Sequence, residues 1–192
     1  MWDELRDARG ALRPAWARFA QWMPLPLAGV EAADDLDRRA DEVAATIRRD
    51  GVTHNVLDAR GVASRPWSLE LLPLLIEPAE WATIEAGARQ RAALLERVLA
   101  DVYGPRRLLR DGLLPPALVL RHPGYLRAMQ GLRPPGDLRL YLVAFDLARG
   151  ADGQWWVVAQ RTQGPSGLGY VLHNRLVVSR QFPDAFRGLR VQ

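Results

Sequence analysis

Residues 155–175, WWVVAQRTQGPSGLGYVLHNR, limit the fold of this chain more than any other stretch. Alternation places Trp156, Val158 and Gln160 on one face of a strand and Trp155, Val157, Ala159 and Arg161 on the other. A Gly-Pro-Ser-Gly loop, Gly164 to Gly167, follows, and from Leu168 the spacing of Tyr170, Leu172, Leu176 and Val177 predicts a helix. Strand, glycine-bearing loop and helix N-terminus in succession present unpaired N–H groups, which suit an anion or a carboxylate. The plainer reading is an ordinary strand-to-helix connection.

The strand needs a partner, and Leu138 to Leu147 supplies one, with Leu138, Leu140 and Leu142 on one face and Tyr141, Val143 and Phe145 on the other. Asp152-Gly153 turns it into an antiparallel hairpin, and apolar residues on both faces predict burial on both sides. Upstream, Leu5, Leu12, Trp16 and Phe19 predict a helix over residues 3–22, broken or restarted at Pro14; Met23 to Gly29 reads as a connector. A second helix is predicted from Glu31 to Arg49 and stopped by Gly51, and strands are predicted near residues 51–57 and 67–72. The clearest helix starts at Pro78, carries Trp81, Ile84, Ala88, Leu95, Val98 and Val102 as a core stripe, and ends at Gly104-Pro105. Short helices broken by Pro115, Pro116 and Pro123 follow, and the tail from Val177 is helical with a break at Pro183. The predicted class is α+β (α/β): a helical segment over residues 1–50, then an α/β domain with a mixed or antiparallel sheet over residues 51–192.

Composition removes several functions. With no cysteine, disulfides, thiolate metal sites and cysteine nucleophiles are excluded, and His54, His122 and His173 have no zinc-ligand spacing, so no metal site is predicted. Acids at Asp3 and Glu4 and the interruption of Leu71–Ile76 by Pro73 argue against a signal peptide or membrane span and for a cytoplasmic protein. All 26 basic residues are arginine, and dispersal among 22 acids leaves a net charge of +4, which argues against a nucleic-acid partner. Without lysine the chain lacks the mobile point charge that usually grips ATP phosphates.

The segments GVTHNVLD (Gly51 to Asp58), RPWSLELLPLLIEPAEW (Arg65 to Trp81), DVYGPRRLLRDGLLPPALVLRHPGY (Asp101 to Tyr125), LVAFDLARGADGQWWV (Leu142 to Val157) and PSGLGYVLHNR (Pro165 to Arg175) occur in an order that resembles a known family. It is that of the circularly permuted ATP-grasp proteins related to glutathionylspermidine synthetase. The first 50 residues also look like the leading helices of its larger members. The resemblance implies an ATP-dependent carboxylate–amine ligase using ATP and magnesium on amino-acid- or peptide-like carboxylates. It implies further that this chain corresponds to the N-terminal portion, with most of the nucleotide-gripping part further along.

Transfer of the family's residues is uneven. Members with a complete site carry a Glu-x-Asn pair before the PSG loop to coordinate magnesium; here those positions are Ala159 and Arg161, the first without a ligand atom and the second a permanent cation. His173 replaces the glutamate of a Glu-Asn-Arg trio, followed by the matching Asn174 and Arg175. One branch of the family carries Gln-Arg-Thr-Gln before the loop, as Gln160 to Gln163 do. The residues thus favour anion handling: Arg161, Ser166, Gly167, Tyr170, Asn174 and Arg175, with Thr53, Asn55, Arg65 and Gln160 as secondary candidates. Alternatively, Arg161 pairs with a local acid while Asn174 and Arg175 tie helix to sheet. Two functions follow: part of a ligase not competent alone, partnered by the C-terminal ATP-grasp region or a partner subunit, or a non-catalytic peptide- or partner-binding scaffold. A half-cleft is also expected to expose an apolar patch.

Overall fold

Pro14 starts a helix instead of interrupting one. In the computed structural model, which describes residues 2–23, 30–58 and 61–191, α1 spans Pro14–Ala20 with proline in its first turn, where a missing N–H is no loss. The helix expected over residues 3–13 is replaced by turns. Asp3 Oδ1 accepts from the Leu5 and Arg6 N–H groups and Asp7 Oδ1 from those of Arg9 and Ala11, satisfying donors that a helix would otherwise use. Residues 24–29 of the expected connector lie outside the described residues.

The remaining elements run α2 (Val30–Arg49), β1 (Thr53–Asp58), β2 (Gly61–Pro66), α3 (Pro78–Val102), α4 (Arg107–Arg110) and α5 (Pro116–Leu120). They continue with β3 (Ala144–Arg149), β4 (Trp155–Arg161), α6 (Leu168–Gln181) and α7 (Pro183–Gly188). The fold is α+β, with two two-stranded antiparallel sheets among the described residues, β1–β2 and β3–β4. Among the described residues no helix is long and apolar enough to cross a membrane.

Contacts divide the chain at other points than residue 50. One unit comprises Asp3–Glu77 with Gly167–Gln192, the other Pro78–Ser166 with Trp2. The reason is the core of the first unit, where Trp16 and Phe19 of α1 and Val43 and Ile47 of α2 pack with Leu71, Val177, Val178, Phe182 and Ala185. Phe19 meets Trp16 and Phe182 edge-on, with centroids 5.4 and 5.2 Å away. The N-terminal and C-terminal helices therefore bury each other's apolar faces. The strand expected over residues 67–72 is irregular chain; β1 instead pairs with β2, setting Thr53 opposite Pro66, His54 opposite Arg65 and Asn55 opposite Ser64.

In the second unit Val102 is the one fully buried hydrophobe among the described residues, and polar contacts do much of the ordering. The Asp101 carboxylate accepts from the Arg107 and Leu108 N–H groups and so starts α4. Glu96 on α3 accepts from the Arg139 and Leu140 N–H groups, at 3.0 and 2.7 Å for its Oε2. Those donors are lost to a ladder, so the strand expected from Leu138 begins only at Ala144. Nor is the hairpin buried on both faces: Trp156 is 60% and Val158 62% exposed. Trp81, expected in the core, is 53% exposed on α3. Arg149 is stacked between Trp2 and Trp155, 5.1 and 4.2 Å from their ring centroids, and pairs with Glu80 at 2.5 Å.

Candidate functional site

The sequence candidates fall into two groups, one in each unit. In the first, Tyr170 and Asn174 lie one turn apart on α6 and reach the β1–β2 hairpin. The Tyr170 hydroxyl donates to the Thr53 carbonyl at 2.5 Å, and Trp67, just past β2, donates its indole N–H to Asn174 Oδ1 at 2.9 Å. Trp67 also stacks at a tilt on Tyr170, centroids 4.6 Å apart, and meets His54 edge-on at 5.6 Å. His173 Nε2 lies 2.9 Å from Asp50 Oδ2. Nδ1 of His54 and Nδ1 of His173 are both shut off from solvent with no partner among the described residues.

This cluster joins Thr53, Tyr170 and Asn174, and leaves the other candidates of its unit aside. Asn55 and Arg65 are exposed on the hairpin. Arg175 turns to the C-terminal segment, donating to the Val191 carbonyl at 3.2 Å and lying over the Phe186 ring at 5.8 Å. Gly167, the α6 N-cap, has φ 113° and no side-chain capping bond. Sequence reasoning missed Trp67, read only as part of a buried strand. Its signal was an indole donor just after Pro66, which needs an acceptor once packed.

In the second unit Gln160 and Arg161 project to opposite faces of β4, and both are exposed, as is Ser166. Arg161 donates to Asp146 Oδ2 of β3 at 2.6 Å, with side chains 59% and 39% exposed. Asp146 sits opposite Ala159 in the hairpin register. A bulge follows it, between Asp146 and Leu147. This corner of the hairpin therefore offers an arginine already engaged by a carboxylate that an incoming anion would have to displace. On α6, meanwhile, Leu168, Val171, Leu172 and Leu176 are each more than half exposed and recur at helical spacing as an open apolar stripe.

Comparison with known proteins places these elements in context. The family described as circularly permuted ATP-grasp type 2 matches residues 73–192. The chain is 40% identical over 196 residues to the uncharacterized protein Rv2567 of Mycobacterium tuberculosis, covering 98% of this chain and 22% of that protein. It is 34% identical over 191 residues to the uncharacterized protein Rv2411c of the same organism, covering 99% and 33%. With the uncharacterized protein sll0335 of Synechocystis it shares 32% over 191 residues, covering 100% and 39%. The chain thus spans well under half the length of these relatives.

Proposed function

This chain belongs to the circularly permuted ATP-grasp type 2 family, and from that premise we propose that it supplies the N-terminal region of a glutathionylspermidine-synthetase-like ligase. The proposed whole joins an amino-acid- or peptide-like carboxylate to an amine at the expense of ATP in the cytoplasm, and this chain alone does not perform phosphoryl transfer. The observation that carries the reading is the chemistry at the end of β4. Ala159 offers no ligand atom where the family's magnesium site has one, and Arg161 is a cation bound to Asp146. These residues do not fit a magnesium ion. With no lysine in the chain, gripping of ATP phosphates falls to the C-terminal ATP-grasp region or a partner subunit. What Arg161 can do is exchange Asp146 for a substrate carboxylate, keeping a charge-assisted bond throughout.

A second reading is a non-catalytic peptide- or partner-binding scaffold; the open apolar stripe on α6 suits it as a docking face, and equally suits a half-cleft awaiting its other part. Calorimetry on the 192-residue chain with ATP and magnesium, then with glutamate or a short peptide, separates the two. Carboxylate binding that weakens several-fold in Arg161→Ala, without nucleotide binding, supports the ligase-part reading; ATP hydrolysis by this chain alone would overturn it. Binding of peptides through apolar side chains, indifferent to Arg161→Ala, supports the scaffold.

A further inference from the structure

Residues 104–133 of the second unit hold six arginines, Arg106, Arg107, Arg110, Arg121, Arg127 and Arg133, against Asp111 as their one acid. The net charge of the whole chain, +4, therefore arises largely in this segment. Asp111 is taken by Arg110 at 3.3 Å.

Within this basic segment Arg106 is held unlike the others. Its guanidinium Nη2 donates to the Tyr125 hydroxyl at 2.6 Å and to Gln130 Oε1 at 2.5 Å, both neutral acceptors. Tyr125 is fixed in turn by stacking on Tyr103, centroids 5.2 Å apart, and Gln130 by donating to the Gly104 carbonyl at 2.8 Å. No carboxylate pairs with Arg106 among the described residues. Its Nε is shut off from solvent without a partner, and its Nη1 makes no hydrogen bond among the described residues. Its backbone lies at φ 56°, a left-handed conformation that strains any residue with a side chain other than asparagine or aspartate. Arg106 is thus a partly buried cation pinned by neutral groups at a left-handed backbone position, with no carboxylate bonded to its guanidinium among the described residues.

We propose that Arg106 binds an oxyanion, a phosphate or carboxylate group, on Nη1, with Tyr125 and Gln130 as positioning residues that keep the guanidinium plane fixed. Of the two, phosphate carries the greater charge and makes the stronger charge-assisted bonds to a guanidinium.

Inorganic phosphate, with acetate as the carboxylate arm and sodium chloride at matched ionic strength as control, tests it on the full chain. Saturable movement of the Arg106 Nε–Hε resonance and a higher Tm in phosphate are expected, with acetate weaker. Arg106→Asn suits the left-handed backbone and removes the guanidinium; its phosphate affinity should fall about tenfold or more. Tyr125→Phe keeps the charge and loosens one tether, and should weaken binding several-fold; it also carries the test if Arg106→Asn does not fold. Phosphate acting no differently from chloride, or Arg106→Asn or Tyr125→Phe binding phosphate as tightly as the unaltered protein, would overturn the proposal.

Discussion

The Trp67 indole and the Asn174 side-chain oxygen lie 2.9 Å apart although 107 positions separate them in sequence. That bond joins the end of the β1–β2 hairpin to the middle of α6, and it is partly buried. Asn174→Ala leaves the indole N–H without its acceptor and should lower stability by about 1–3 kcal/mol. Trp67→Phe should cost a comparable amount, and the double variant less than the two together, because they share one interaction. Urea denaturation of the three variants measures the coupling; strict additivity would show that the bond contributes nothing.

A side chain at Gly153 would displace Trp2 and strain the backbone. A Cβ built there would lie 2.3 Å from the Trp2 ring, and φ is already 79°. Gly153→Ala should therefore lower stability by about 1–3 kcal/mol through strain and displacement of Trp2 from its stack on Arg149. Gly153→Ala combined with Trp2→Ala should recover the steric part and keep the backbone part. Thermal melting of the single and paired variants separates the two contributions.

The sequence disclosed those parts whose signals are local. Pro78, Gly51, Asp152-Gly153 and Pro183 each mark an element boundary through their own backbone chemistry, and the structure places elements accordingly. What stayed hidden depended on distant partners. Nothing near Leu138 signals that Glu96, 43 positions from Arg139, takes the N–H groups of the expected strand. Nothing near Trp16 signals that its helix packs with α6 and α7 instead of forming an N-terminal segment of its own. At the candidate site, Tyr170 was visible in the helical spacing and Asn174 through the family's trio, while Trp67, which contacts both, was not, because an indole near a proline reads first as core.

Glu96 offers a direct test of that hidden contact. Glu96→Gln replaces a carboxylate accepting from two backbone N–H groups and Arg139 with a neutral amide, one end of which is itself a donor. A loss of about 1–3 kcal/mol is expected. Hydrogen exchange at the Arg139 and Leu140 amides should rise most; unchanged protection there would remove Glu96 as the reason β3 starts late.

Acid should loosen the first unit through Asp35. Hydrogen bonds from Arg39 and then Arg38 hold its carboxyl below the ordinary value of 3.8. The unfolded chain thus takes up this proton at higher pH than the folded one, so the stabilisation is complete above 3.8 and is lost as the pH falls through the depressed value. Arg39 also donates to the Gln181 carbonyl at the end of α6, so protonation weakens the hold of α2 on that helix. Asp35→Asn should be less stable near neutrality and lose less Tm between about pH 5 and about pH 2.5 than the unaltered protein. Parallel Tm–pH curves would exclude Asp35 as the source.

Asp146 decides whether Arg161 is a binding residue or a surface tie. Their pair is exposed on both sides, so on its own it contributes about 0–1 kcal/mol, and neither Asp146→Asn nor Arg161→Ala should change Tm much. The two substitutions differ in what they do to an anion. If Arg161 receives a carboxylate by releasing Asp146, removing the competing charge in Asp146→Asn should tighten carboxylate binding several-fold, while Arg161→Ala should weaken it. A surface tie predicts that neither substitution moves the affinity. The opposed signs cannot come from general destabilisation, which would shift both variants the same way, so titration of glutamate into the two proteins assigns the role of this corner of the hairpin.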